Sequence, residues 1–294
     1  MIDLHMHTTA SDGRLTPQAL VARVHAAGLT TISVTDHDTV AALAEVTHGA
    51  AAHGIRVVPG IEITAVADGR DVHMLGYFVD PGCESLTRFL VSQRDLRVGR
   101  VREIAARLAT LGIGIDAEAI LAHAATRPGS SVGRPQLARA LVKAGHVAST
   151  QDAFERWLAN GRPGYVPRQG PSPADVVDAV HRAGGIASMA HPGVTQRDDL
   201  IAPLADAGLD AIEVYHSDHS AEDQAIYRRL AARFNLLVSG GSDFHGEEPP
   251  GSEKPGRTRR ATLGVTTLPA EAFAALEAAA ATRQGRRTAP EAHS

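Results

Sequence analysis

The hydrophobic pattern of this chain switches repeatedly between a strand period and a helix period over its first eighty residues. Ile2–Thr8 alternates apolar and polar positions and predicts a short strand. Thr16-Pro17 supplies an N-cap and a first-turn proline for a helix through Leu20, Val21, Val24 and His25, which Gly28 ends. The β-branched run Thr31–Asp36 predicts a second strand, and the alanine-rich Val40–Ala52 a helix closed by Gly54. Ile55–Val66 and Asp71–Val79 read as further strands, broken by Pro59-Gly60 and by the turn Ala67-Asp68-Gly69-Arg70.

From Cys83 the period becomes helical. Leu86, Leu90, Val101, Ile104, Leu108 and Leu111 recur at helical spacing, and Ala117–Ala124, Pro135–Ala144 and Gln151–Ala159 follow as shorter helices. After Pro171-Ser172-Pro173 the alternation resumes. Ser172 and Asp175 are placed as a capping box, Ile186–Ala190, Ala211–His216 and Leu236–Ser239 predict strands, and helices fall near Leu200–Ala207 and Ala221–Phe234. Gly246–Arg260 is a Pro-, Gly- and charge-rich loop that could serve as a lid, and Ala270–Thr282 is a last amphipathic helix. The polar tail 284–294 is expected to be disordered. The expected organisation is a discontinuous α/β domain, 1–82 and 168–283, interrupted by a mainly helical insertion at 83–167. Strand–helix alternation implies parallel strands, and about seven of them suit a closed or nearly closed (β/α) barrel. Either closure would gather the loops after the strands on one face, where active sites collect.

Composition narrows the function. A hydrophobic fraction of 44% against 21% charged residues allows a sizeable core, and a net charge of −4 gives no overall field to hold nucleic acid or membrane. The single cysteine, Cys83, excludes an internal disulfide and a structural zinc site of several thiolates. The chain has no 18-residue apolar run and no basic-then-apolar start, so the expectation is a soluble cytoplasmic protein without a membrane partner.

The 15 histidines are out of proportion to this picture, and their positions explain why. His5 and His7 end the first predicted strand, with Asp12 just beyond. Asp36-His37-Asp38 ends the second, and Glu62 and His73 lie on the next two. His191, Tyr215-His216, Asp243 and His245 end the later ones. Residues two apart on a strand face the same side, so His5 and His7 can grip one ion together. Imidazole with carboxylate and no thiolate suits Mn, Fe or Zn in a catalytic setting. Taken singly, each has an ordinary explanation: a strand-end histidine is often solvated, and Asp36 or Asp38 would cap the following helix. His25, His48, His53, His146, His181 and His219 fall on predicted helix surfaces or turns and read as structural or solvent-facing. The conjunction of ligand-type residues on one face points to a metal site.

The motifs HMHTTASDG (His5–Gly13), TDHD through Asp38, PGIE (Pro59–Glu62), MAHPG (Met189–Gly193) and GSDFH (Gly241–His245) resemble those of the PHP (polymerase and histidinol phosphatase) phosphoesterases. The resemblance runs from residue 1 to about 267. It is strongest to the branch of 3′,5′-nucleoside bisphosphate phosphatases and 5′→3′ exoribonucleases, through SVGRPQLAR (Ser131–Arg139) and GYVP (Gly164–Pro167) in the helical insertion. The resemblance implies a distorted seven-stranded (β/α) barrel and three divalent metals, usually Mn²⁺, with Zn²⁺ or Fe²⁺ as alternatives. One would be held by His5, His7, Glu62 and Asp243. A second would share Glu62 and add His73 and His191. A third would use Asp12, His37 and His245. Glu62, Asp243 and His245 would then serve catalysis, a hydroxide bridging two metals would attack the phosphoryl group without a phosphoenzyme, and the substrate would be a small phosphorylated nucleotide such as pAp.

Arg134 is the candidate clamp for a second, non-reacting phosphate, against the alternative that it pairs within its own loop. His216 is a candidate contact to substrate phosphate, with Arg127 and Arg168 as further contacts. Arg88–Arg107 holds six arginines, of which Arg94, Arg97 and Arg100 share a helical face. They suit a short RNA track or an ordinary solvated face. No interleaved aromatics favour the former, and no stable nucleic-acid complex is expected. Four alternatives to a bisphosphate phosphatase are a 5′→3′ exonuclease on short RNA, a histidinol-phosphatase-like enzyme, a non-catalytic metal-binding module and a C–N hydrolase. The last lacks a strand-end lysine of the kind many binuclear amidohydrolases carbamylate.

Overall fold

The computed structural model describes residues 1–126, 129–247 and 262–288. Its strands are β1 (Ile2–Asp3), β2 (Thr31–Ile32), β3 (Arg56–Val57), β4 (Gly60–Ala67), β5 (Arg70–Tyr77), β6 (Ile186–Met189), β7 (Ala211–His216) and β8 (Leu237–Gly241). Its helices are α1 (Pro17–Ala26), α2 (Leu43–Ala51), α3 (Glu84–Thr110), α4 (Ala117–Ala125), α5 (Arg134–Lys143), α6 (Thr150–Ala153), α7 (Pro173–Arg182), α8 (Pro192–Thr195), α9 (Ile201–Asp206), α10 (Ala221–Arg233) and α11 (Ala270–Thr288). A π-helical turn, Phe154–Leu158, continues α6, and a 3-10 turn, Asp198–Leu200, precedes α9.

The capping chemistry acts as its residues require. Thr16 accepts from the Ala19 N–H ahead of Pro17, and Ser172 and Ser220 each exchange hydrogen bonds with the aspartate three residues on. The expected tail is shorter than the sequence suggested: α11 continues through residues 284–288, because Arg283 pairs with Asp210 and Gln284 donates to the Phe78 carbonyl. Residues 289–294 lie outside the described part, as do Arg127 and residues 248–260 of the loop after His245.

The strands differ from the expected distorted seven-stranded barrel, closed or nearly closed, of parallel strands. There are eight among the described residues, in two sheets of order β1-β2-β3 and β4-β5-β6-β7-β8. The first sheet is parallel, as are β6-β7-β8, but β5 runs antiparallel to both of its neighbours. The reason is local: Pro59-Gly60 breaks the expected Ile55–Val66 strand into β3 and β4, and the turn at Asp68-Gly69 folds β4 onto β5 as a hairpin. Asp68 and Gly69 both adopt positive φ, as such a turn demands. Only short contacts join the two sheets. At one seam the Leu4 N–H donates to the Gly240 carbonyl and the Asp243 N–H to the His5 carbonyl. At the other the Asp38 N–H donates to the Glu62 carbonyl.

Four apolar clusters hold this frame. Ile61, Ile63, Met74 and Ile212 of the five-stranded sheet pack with Val176, Val177 and Val180 of α7. Leu20, Val24 and Val46 of α1 and α2 cover Ile32 and Val34. Phe273 and Leu276 of α11 pack on Leu4, Leu75, Tyr77 and Ile186. The helices between β5 and β6 have a cluster of their own, Val101, Ile104, Leu108, Leu137 and Leu141, while Leu86 and Leu90 at the start of α3 join the main core. Helix α3 thus spans both. Among the described residues no helix is long and apolar enough to cross a membrane.

The β1–β8 seam leaves no room for a side chain at Gly241, where a Cβ would lie 2.3 Å from the His5 nitrogen. Gly241→Ala is expected to destabilise the protein by about 1–3 kcal/mol, read as a lower urea midpoint. An unchanged midpoint would show that the seam yields freely.

Candidate metal centre

The extended run after β1 carries His5 and His7 with their rings on one side, as the two-residue spacing predicts. Their Nε2 atoms lie 3.2 and 3.1 Å from the same oxygen, Glu62 Oε2. Glu62 enters from β4. In the β4–β5 register Thr64 faces His73, so Glu62 and His73 share a face, and His73 Nδ1 lies 2.8 Å from Glu62 Oε1. His37, after β2, approaches Oε2 at 3.3 Å, and His191, after β6, approaches Oε1 at 3.1 Å. Five imidazoles from four segments therefore converge on one buried carboxylate.

Asp243, after β8, lies 3.4 Å from His5 Nε2 and 3.2 Å from His7 Nε2. Asp12 faces His7, His37 and His245 at 3.8, 3.8 and 3.3 Å. The donor atoms fall into three groups, each able to hold an ion: His5, His7, Glu62 and Asp243; His7, Asp12, His37 and His245; and His37, Glu62 and His73. All nine residues expected as ligands are in this cluster. His7 and His37 each border two groups, and His191 joins the third through the oxygen that His73 contacts.

The site's electrostatics favour a cation. Burial alone would raise Glu62, but His37, His73 and His5 outweigh it and hold the carboxyl well below its ordinary range. Asp12 is likewise held well below its range, with burial overcome by His245 and His37. Burial also lowers His37 to about 3 and His191 to about 4, so these rings present neutral nitrogens. His7 resists the same burial, and the Asp243 and Glu62 carboxylates hold it up to about 10. Both ring nitrogens of His7, and Nδ1 of His37, are buried without a hydrogen-bond partner despite the nearby carboxylates. A buried ring nitrogen left without a partner is costly, and a divalent ion held among the carboxylates would accept the lone pair of one nitrogen of each ring. The donor set, nitrogen and oxygen only, fits such an ion.

The backbone is strained at the same places. Asp38, His191 and Asp243 all have positive φ, at 52°, 27° and 54°, which non-glycine residues rarely adopt away from functional sites.

Sequence reasoning missed the residues around the cluster. Asp36 caps no helix: it accepts from the Thr8 N–H and hydroxyl and from the Ser11 hydroxyl, fixing the loop that presents Asp12. Asp38 is buried, and its Oδ2 pairs with Arg97 at 2.5 Å and Arg168 at 2.7 Å. The buried Arg168 guanidinium, expected as a further substrate contact, is thus engaged with Asp38. The Arg94, Arg97 and Arg100 face turns inward, toward the Asp38 carbonyl, Asp38 Oδ2 and the Val166 carbonyl, and is neither an RNA track nor a solvated face. His219 is buried too: its Nδ1–H donates to the Val214 carbonyl, and its Nε2 accepts from the Gly193 N–H. Glu213 was legible only as the one charged side chain in the apolar run of β7.

Arg134, at the start of α5, pairs with Asp71 on β5 at 3.0 Å rather than within its own loop. It borders a cavity of about 340 Å³ that His73 and His191 also line, along with Arg70, Tyr165 and Thr195. His216 lies below, with Nε2 3.5 Å from Asp243 Oδ2 and Nδ1 accepting from the Asp218 N–H. It faces Asp243 rather than that cavity.

Residues 3–158, more than half of the chain, match the profile of the PHP domain. The chain belongs to the PHP domain family. It is 37% identical over 250 residues to the 5′-3′ exoribonuclease Rnm of Salmonella typhimurium, covering 83% of this chain and 84% of that protein. It is 36% identical over 249 residues to the 3′,5′-nucleoside bisphosphate phosphatase of Chromobacterium violaceum, covering 83% and 87%. A crystal structure from Bifidobacterium adolescentis, assigned as a metal-dependent phosphoesterase, superposes with a TM-score of 0.83 at 32% identity, covering 94% and 95%. This PHP protein is accordingly a metal-dependent hydrolase of phosphate esters, with divalent metal ions as cofactors.

Because His7 is held protonated to about pH 10 in the protein alone, metal entry must displace a proton. The expected result of Mn²⁺ calorimetry at pH 7.5 is a heat that varies with the buffer's ionisation enthalpy. Affinity should rise with pH by up to about tenfold per unit for each proton released. A buffer-independent heat would contradict this charge distribution.

Proposed function

We propose that this enzyme removes the 3′-phosphate of nucleoside 3′,5′-bisphosphates such as pAp, giving AMP and phosphate, with three Mn²⁺ ions. The observation that carries the reading is the cavity in which His73 and His191, donors of the cluster, face Arg134. It offers two poles for anions, one at the donor cluster for the reacting phosphate and one at a guanidinium for the other. Arg134 is suited to the second pole, because Asp71 fixes one edge of its guanidinium and the Phe154 and Tyr165 rings flank it at 5.9 and 5.8 Å.

In this reading His5, His7, Glu62 and Asp243 hold one ion, Glu62, His73 and His191 a second, and Asp12, His37 and His245 a third. Divalent cations bound there supply a water of lowered pKa and a clamp on the phosphoryl oxygens. The chain's own residues set the geometry. Glu62 offers one oxygen to each side of the cluster and so fixes the spacing of its neighbours. Asp243 is held by its strained backbone and offers a carboxylate to His5 and His7. The His245 Nδ1–H donates to the Asp243 carbonyl at 2.8 Å, which leaves Nε2 free to face Asp12. His216, fixed through Nδ1, presents its Nε2–H toward Asp243 and so orients that carboxylate instead of contacting the substrate phosphate expected of it.

A second reading, stepwise 5′→3′ exonuclease action on short 5′-phosphorylated RNA, is favoured by the likeness to the exoribonuclease relative. Both readings need hydrolysis beside an anchored phosphate. Incubating the Mn²⁺-loaded enzyme with pAp and with a short 5′-phosphorylated oligonucleotide separates them. Release of phosphate from pAp above a metal-free control is the expected result; turnover of the oligonucleotide alone would replace the first reading by the second. Asp243→Asn should lower kcat by at least a hundredfold while the protein stays folded. Arg134→Ala should raise KM for pAp about ten- to a hundredfold, the scale of a lost charged hydrogen bond, and leave p-nitrophenyl phosphate hydrolysis nearly unchanged. Equal losses on both substrates would remove Arg134 from the clamp.

A further inference from the structure

Glu213 sits in the middle of β7, between Ile212 and Val214 of the main core, and has no exposed surface. A bare carboxylate in that position is unfavourable unless every oxygen is engaged. Both are. Oε1 lies 2.9 Å from His5 Nδ1, and Oε2 accepts the His191 backbone N–H at 2.7 Å. The first contact requires His5 to carry its proton on Nδ1, which leaves Nε2 facing Glu62 and Asp243. The second holds the peptide of a residue at φ 27°, immediately before Pro192, in the conformation that brings its ring to Glu62 Oε1. The two rings stack with their centroids 5.8 Å apart.

We infer that Glu213 is a positioning residue that couples two donor sets of the metal centre, setting the ring of His5 through its side chain and that of His191 through its backbone. This inference rests on the reading of those histidines as metal donors. Glu213 belongs to none of the three donor groups; it meets His5 at the ring nitrogen that does not face Glu62 and His191 at its backbone, so it acts through them. The chemistry of the pair demands a carboxylate. Both partners are N–H donors, and only a group with two acceptor oxygens satisfies both at once. A glutamine would offer one oxygen and one NH₂, leaving one N–H opposed to another donor. An aspartate would keep the charge but lack the reach to touch both. The Asp12, His37 and His245 set has no contact with Glu213 and serves as an internal control.

The test is a Mn²⁺ titration of the full-length protein by calorimetry, with ¹⁵N-histidine NMR of the same samples before metal is added. Glu213→Gln is expected to weaken Mn²⁺ binding about ten- to a hundredfold at the sets containing His5 or His191 and to leave binding at the Asp12 set intact. It should also shift or broaden the His5 Nδ1 signal. Glu213→Asp should recover only part of the loss. Wild-type affinity and stoichiometry in Glu213→Gln would overturn the inference, as would full recovery by Glu213→Asp. Loss of all Mn²⁺ binding together with a lower melting temperature would also overturn it, since Glu213 would then serve the fold at large. Absence of Mn²⁺ binding by the wild-type protein would instead refute the donor reading, and is seen in a separate arm.

Discussion

Taking a carboxylate out of water costs several kcal/mol unless charge and hydrogen bonds replace the solvent, and Glu62 is almost fully buried. Its two oxygens are met within 2.8–3.3 Å by His5, His7, His37, His73 and His191. Much of the architecture exists to satisfy this arrangement. The five imidazoles ride on four segments of the chain, so the β1–β8 seam, the β2–β4 seam and the β4–β5 hairpin must all close to bring them together. The small residues at those closures follow from the same demand. A Cβ on Gly60 would lie 2.0 Å from Ser33 Oγ, and one on Gly241 would strike His5.

The arginines of α3 solve a second problem, that of fixing the helices between β5 and β6 to the rim of the donor cluster. Arg97 reaches Asp38 and Thr64, and Arg94 reaches the Asp38 carbonyl, while Arg168 closes on the same carboxylate from farther along the chain. Burial opposes the charge of Arg168, and with Arg97 nearby lowers it to about 10, yet Asp38 is held down to about 2. Two guanidinium groups and one carboxylate thus form a partly dry knot next to His37. These pairs tie the helices between β5 and β6 to the loop that carries His37, and Arg134 on α5 lines the cavity beside His73. This explains in physical terms why a fragment far along the chain contributes to the same cavity as His73.

What could be read from the residues was local chemistry and its period. The His-x-His pair, the carboxylates at strand ends and the capping residues declare themselves within a few positions. Glu213 and Asp38 did not, because a lone acidic residue gives no local clue to whether it caps a helix, pairs with arginine or orients a histidine. The surroundings of His219 and of the α3 arginines are equally hidden, since helical spacing shows which residues share a face but not what that face meets. The antiparallel course of β5 was hidden for a similar reason: alternation marks a strand and says nothing of its direction, and the weight of strand–helix units elsewhere argued for parallel pairing.

The residues alone point to nitrogen and oxygen donors without a multi-thiolate site, and to nine ligand-type side chains on or after predicted strands. These follow from residue identity and from the two-residue period of a strand, which need no knowledge of neighbours. The division of the strands into two sheets joined at narrow seams, the place of His7 and of His37 in two donor groups each, and the contact of Glu213 with both His5 and His191 emerge only from the folded chain. Those are distances between segments up to about two hundred residues apart, set by packing and by the need to satisfy buried charge, and no short-range pattern encodes them.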